Sequence, residues 1–349
     1  MVSTYWLADA DEREVAQVPA SRTVLRRRTA EQSLIAPDIL KQLSRPREWQ
    51  TIGAIAMQWG LIALAIAVSI WADSWFVTIP LLAFIATRQH ALLIMMHDAA
   101  HFLISHNRVV NDTVSNLFCA FPFLISNKRY RINHLLHHRY VNTAEDPDLN
   151  VNVHPESRLT LVLELVQDLL CLSILKTIRR SRKFGVLAIF FTSQPGFAAE
   201  RVLFLAFVAT LTAVITYFHI GSQFLLYWVL PLASFLQVLV TLRGFAEHAG
   251  RIDGDLLNHA RTIDVGPLER IIFAPCNVNR HLEHHLYPSV PAHNLEALSD
   301  ALRGNEDFVR GTQRTQGYLA SSLCVFRELY GPSVSSAHGP EHDLRAKAS

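Results

Sequence analysis

Four apolar runs, each long enough to cross a bilayer, constrain this chain more than any other feature of its sequence. The first, "TIGAIAMQWGLIALAIAVSIW" (residues 51–71), holds no charge. At about 1.5 Å of rise per residue, a helix of that length covers roughly 30 Å, the thickness of a hydrocarbon core. The second run, residues 75–96, follows after a three-residue turn. The third and fourth, residues 202–218 and 224–242, form another closely spaced pair. Pro231 is expected to kink the fourth without ending it. Charged residues make up only 18% of the chain and hydrophobic ones 50%, whereas a soluble domain carries roughly a quarter charged residues. The expected fold class is therefore an all-α, polytopic membrane protein with four transmembrane helices.

Charge placement orients those helices. Neither short turn, residues 72–74 or 219–223, contains Lys or Arg, while "RRR" (26–28), "KRYR" (128–131) and "RRSRK" (179–183) lie on the other side. By the positive-inside rule, both termini and the long middle loop are cytoplasmic, as in a bacterial inner membrane. Arg88, toward the cytoplasmic end of the second run, is free to snorkel or to face the bundle interior. Residues 159–175 are read as an interfacial helix and not a fifth span, because Glu164 and Asp168 share one helical face. The opening stretch is charged and unlike a signal peptide. Residues 1–46 are read as a cytoplasmic segment, 47–304 as the membrane domain and 305–349 as a cytoplasmic tail. A net charge of +2 gives no case for nucleic acid. Four dispersed cysteines without a CxxC pair give none for a disulfide framework or a thiolate metal site.

The 17 histidines are the chemical signal. "HDAAH" places His97 and His101 one helical turn apart at the end of the second run, on one face. "HLLHH" (His134, His137, His138) and "HLEHH" (His281, His284, His285) repeat one unusual spacing, and its offsets fall on one side of a helix. An even number of spans brings all three clusters to the cytoplasmic side, as a histidine-rich helical cap. Eight imidazoles are more than one ion accepts, so more than one metal is expected. Imidazole suits zinc, copper, iron and nickel alike. The chain holds no Glu-x-x-His motif, which excludes the carboxylate-bridged architecture of soluble di-iron bundles. Pro288 and Pro291 should end the third cluster's helix near Leu286 or Tyr287, with Leu286, Tyr287 and Val290 packed beneath the metals.

The order HxxxH, HxxHH, HxxHH with this topology resembles the membrane fatty acid desaturase and hydroxylase superfamily, within its bacterial dihydrorhizobitoxine desaturase-like group. "HHRYVNTAEDPDL" and "HHLYPSVP" are similar to that superfamily's segments after the second and third boxes. The resemblance implies two iron ions held by histidine, which use dioxygen and two electrons to attack an unactivated C–H bond. It implies a lipid or acyl substrate met at the cytoplasmic membrane face. It also implies a ninth ligand, His248 of "LRGFAEHAGR", which the residues alone leave open between a ligand and a polar loop residue. Where the superfamily often has Asn four residues earlier, this chain has Gly244.

Around the ligands, Asp98, Glu145, Asp146, Asp148, Glu247, Glu283, Asn142, Asn277 and Asn279 are candidates to orient imidazoles. His90 is read as a polar group facing the bundle. His106, His154, His219, His259, His293, His338 and His342 are read as loop or surface residues. No iron–sulfur, nucleotide-binding or haem pattern is present, so a separate ferredoxin- or cytochrome-like donor is implied. The leading function is desaturation. Hydroxylation or ketolation, or desaturation of an amino-acid-derived substrate, is the nearest alternative. A zinc-dependent membrane hydrolase or a metal transporter is the second, although a transporter would place ionisable groups near mid-membrane.

Overall fold

The computed structural model describes residues 34–149, 156–173, 185–192, 196–250, 255–319 and 324–330. The basic stretches at 26–28 and 179–183, with His154, His338 and His342, lie outside the described residues. Among the described residues, the helices that position the site and its scaffold are α1 (Glu48–Ala72), α2 (Trp75–Ala100), α3 (Asn127–Tyr140), α4 (Arg158–Leu169), α5 (Ala198–Tyr217), α6 (Gly221–His248), α7 (His281–Leu286) and α8 (Leu295–Arg303). Four of them, α1, α2, α5 and α6, are long and apolar enough to cross a membrane, and the chain is a membrane protein.

The hairpin between α1 and α2 closes through Asp73, a left-handed residue (φ 43°) whose N–H donates to the Ser69 carbonyl. At this end Ser69 Oγ lies 2.7 Å from Thr78 Oγ1 and 3.0 Å from the Tyr227 hydroxyl, which ties α1, α2 and α6 together. From Ile85 to Ala100 almost every residue of α2 is buried, so α2 is the central helix, enclosed on all sides even where it carries polar residues such as Gln89 and His90. By contrast α5 is peripheral, with Val202, Leu205, Val208 and Val214 exposed, as suits a lipid-facing helix. Around the proline α6 bends: a π-helical turn at Leu225–Val229 precedes Pro231, and Ser234 is non-helical (φ −117°, ψ −92°). The missing N–H and the ring of Pro231 account for that break.

The spans begin up to four residues earlier than the sequence reading, and two of their ends bear on the site. The second span continues past Met96 to Ala100, and the fourth past Leu242 to His248, so His248 ends a span and is not in a following loop. Both extensions carry polar residues that are paired or buried inside the bundle. The expected interfacial segment is a helix of 12 residues, too short to span. Its inner face holds Leu161 and Asp168, and Thr241 Oγ1 of α6 donates to the Asp168 carboxylate at 2.6 Å. Asp168 thus docks α4 on α6, while Val162, Leu163, Val166 and Leu169 are exposed. One two-stranded parallel sheet, β1 (Thr262–Asp264) with β2 (Arg314–Gln316), is added to the helical fold.

Candidate metal centre

Each ligand-bearing element begins or ends where its sequence requires. In α3 the Ser126 side chain accepts from the Arg129 N–H as an N-cap. His101 is the C-cap of α2. Helix α7 stops at Leu286, Tyr287 caps it and Pro288 follows, as the two prolines predict. Leu286, Tyr287 and Val290 then join a buried apolar cluster with Leu295, Leu298 and Leu302.

All nine candidate histidines lie at one end of the bundle, in two groups. His97, His101, His134, His138 and His284 form one, and His137, His248, His281 and His285 form the other; within each, potential ligand atoms lie within 4.8 Å of one another. Both HxxHH boxes are therefore split: His134 and His138 face the first group while His137 faces the second, and His284 parts from His281 and His285. Nε2 atoms converge. His101 and His134 are 2.9 Å apart, His134 and His138 3.0 Å, and His138 and His284 3.0 Å. In the second group the separations are 3.3 Å for His137 and His248, 2.9 Å for His248 and His281, and 3.1 Å for His281 and His285.

These distances fit a metal better than a hydrogen-bonded array. Two nitrogens about 2.1 Å from one ion and at a right angle lie about 3.0 Å apart. Two imidazoles also have fixed tautomers. His137 Nδ1–H donates to the Asp146 carboxylate at 2.9 Å, and His248 Nδ1–H donates to the His259 carbonyl at 3.0 Å. With His137 neutral, their Nε2 atoms, which face each other, are both bare lone pairs with no proton to share. His97 has no hydrogen-bond partner on either ring nitrogen. A cation among the five and another among the four would satisfy the converging nitrogens and one ring nitrogen of His97.

Electrostatics keep the donors in ligand form. Burial, together with the charge of Arg131, pushes His101 down to about 3. Burial and neighbouring imidazoles hold His134, His138, His281, His284 and His285 well below the usual range. His137 differs: burial opposes its protonation, but the hydrogen bond and charge of Asp146 outweigh it and raise the pKa.

Of the candidate orienting residues, Asp146 touches His137, and Glu247 Oε1 lies 3.5 Å from His281 Nδ1. The others brace the scaffold. Asp98 accepts from the Ala292 N–H at 3.0 Å, pinning the exit of the third box to α2. Glu283 accepts from Thr262 and Ser299, and Asp148 from Asn133. Asn142 donates to the His259 carbonyl, Asn277 to that of Ala292 and Asn279 to that of Ile263. Glu145 is exposed.

His259 corrects the sequence reading. It is buried at 1% exposure, its ring centroid lies 5.4 Å from that of His285, and its carbonyl orients His248. Three arginines were also missed. Arg131 donates to the Ala99 and Ala100 carbonyls, closing the end of α2 that carries the first box. Arg261 donates to the Phe245 and Ala246 carbonyls at the end of α6. Arg243 Nε donates to Glu247 Oε1 at 2.6 Å. Their sequence signal is weak, since each sits a few residues from a charge or box like many solvated arginines.

A four-span bundle with nine converging imidazoles at one end defines a class of membrane metalloprotein-like folds, and comparison with known proteins narrows it. The family model described as fatty acid desaturase matches residues 73–316. The chain is 27% identical over 331 residues to dihydrorhizobitoxine desaturase of Bradyrhizobium elkanii, covering 87% of this chain and 94% of that one. It is 28% identical over 220 residues to the sphingolipid delta(4)-desaturase of Mus musculus, covering 59% of each. This chain belongs to the fatty acid desaturase family and is an oxidoreductase.

Proposed function

We propose that the chain is a di-iron desaturase that introduces a double bond into a lipid-like or amino-acid-derived chain at the cytoplasmic face of the membrane. The observation that supports this is the partition of nine imidazoles, seven of them buried, into two groups whose ring nitrogens converge. His97, His101, His134, His138 and His284 would hold one iron, and His137, His248, His281 and His285 the other. The irons supply activation of dioxygen, an oxidising power that side chains lack. The protein contributes geometry: Asp146 and the His259 carbonyl hold two imidazoles in the ligating tautomer, and the buried helix ends keep bulk water from the reacting bond. In balance, dioxygen takes two hydrogens from the chain and two electrons with two protons from a donor, leaving as two waters. The electrons come from a separate ferredoxin- or cytochrome-like protein on the cytoplasmic side. The match to dihydrorhizobitoxine desaturase over most of both chains favours desaturation over hydroxylation. Metabolite profiling of a host with and without the gene tests this. New unsaturated products two mass units below a precursor support it; products heavier by one oxygen identify a hydroxylase.

A further inference from the structure

A substrate that is only an alkyl chain needs only apolar walls, and the interface between α2 and α6 is not lined that way. Arg243 lies on α6 one turn before Glu247 and roughly 7 Å along the helix from His248. Its Nε is taken by Glu247. Among the described residues neither terminal nitrogen of Arg243 has a hydrogen-bond partner. The side chain is nonetheless 16% exposed, so it borders open space. His90 on α2 lies two turns before His97, fully buried, and neither of its ring nitrogens has a partner. The two belong to one region: Ile94, one turn after His90, shares a buried apolar cluster with Leu242, the residue before Arg243.

A buried guanidinium with open N–H donors matches an anion, and carboxylate is the anion it fits in a planar, two-point manner. Charge points the same way. Neutral imidazoles leave most of the charge of any bound cations uncompensated, Arg243 adds to it, and Glu247 and Asp146 each offset one unit. His90 has a ring N–H to offer the same group. We propose that Arg243 and His90 form a carboxylate-binding subsite on the bilayer side of the histidine groups. The substrate is then a free carboxylate, a fatty acid or an amino acid with an apolar tail, and not an ester- or amide-linked lipid. Placement within two helical turns of the ligands puts the attacked bond near the acid end of the substrate. This inference rests on the desaturase reading for what is done to the substrate, and on Arg243 and His90 alone for what is bound.

Calorimetric titration of the iron-loaded full chain in lipid nanodiscs tests it, with octanoate, 2-aminooctanoate and methyl octanoate as probes. At least one of the two carboxylates is expected to bind about tenfold or more tightly than the neutral ester, the scale of one charge-assisted contact. The order between octanoate and 2-aminooctanoate identifies a fatty-acid or an amino-acid source. R243Q should bring carboxylate and ester within about threefold of each other, R243K should restore part of the difference, and H90L should reduce it. Equal affinity of wild type for acid and ester overturns the proposal. So does carboxylate binding that R243Q leaves unchanged, as direct ligation to iron would give. Discrimination that persists in protein carrying zinc alone would leave the carboxylate site standing while the desaturase reading fell. Desaturation of a neutral lipid by protein with two irons and no such discrimination would do the reverse.

Discussion

Arg131→Leu should uncouple the first histidine box from the second. The guanidinium is 1% exposed and stacks over the Phe102 ring at 3.8 Å. Nε donates to the Ala100 carbonyl and NH2 to the Ala99 carbonyl, each at 3.0 Å. The Ala100 carbonyl is among the last of α2, which no intrahelical N–H satisfies, whereas the Ala99 carbonyl keeps the Phe102 N–H and the Asn111 side-chain amide when Arg131 is lost. Arg131 also pairs with Asp112, whose carboxylate is one-third exposed and can rehydrate when the partner is lost. Each charge-assisted bond to a buried carbonyl contributes about 1.5–3 kcal/mol. Leucine recovers part of the loss by burying apolar surface, and only the Ala100 carbonyl is left without a partner, so a net destabilisation of about 2–3 kcal/mol is expected. Arg131 and His134 share α3, while Ala99 and Ala100 lie between His97 and His101, so the metal group containing these histidines should suffer first. Chemical unfolding in mixed micelles, followed by helical circular dichroism, measures the stability; iron per chain measures the site. A variant within about 1 kcal/mol of wild type that retained full iron would refute the reasoning.

Asp146→Asn should weaken metal binding by about 10- to 100-fold, because His137 would lose the carboxylate that sets its tautomer; titration of metal-depleted protein reads it. In the metal-free chain, His101 and the imidazoles pushed below their usual range stay neutral when folded but protonate when unfolded below about pH 6.5. The unfolded state then binds more protons, so stability should fall as pH drops from about 6.5 toward 3, by up to about 1.4 kcal/mol per pH unit for each such imidazole. His137, whose pKa is raised, opposes this by one proton. A flat thermal midpoint between pH 7 and 5 would contradict it. Replacing both Pro288 and Pro291 by Ala should lower metal occupancy and turnover together while membrane insertion is unchanged, since the segment they shape pins the third box to Asp98. In a cysteine-free background, a cysteine at Asp73 should be labelled from outside intact cells and one at Ser336 should be protected; the opposite pattern inverts the orientation.

The spans were legible because a bilayer demands long charge-free runs, and such runs show in any window of the sequence. The ends that carry the histidines were not. A reading that stops at charge stops at Leu242, yet Arg243 pairs with Glu247 inside the bundle and the helix runs on to His248. Six box histidines stood out through a repeated spacing, and His97 and His101 through their placement one helical turn apart at the end of the second run. Their division did not, because which imidazole of an HxxHH box faces which group depends on how α3 and α7 cross α2 and α6. His259 was misread for a different reason: its carbonyl orients His248, and a carbonyl role leaves no trace in residue type. Asp146 stood out only as one acid of "EDPD", and the turn that aims it at His137, with the Asn142 N–H donating to it, comes from the fold.

The most direct test of the central claim is the metal content of the purified chain, expressed without added zinc and measured by elemental analysis beside Mössbauer spectroscopy of iron-57-enriched protein. Two irons per chain are expected, with His284→Ala depleting the five-histidine group and His248→Ala the four-histidine group, and each variant losing a different iron signal. Stoichiometric zinc without iron, or a His248→Ala variant with both irons intact, would contradict the account.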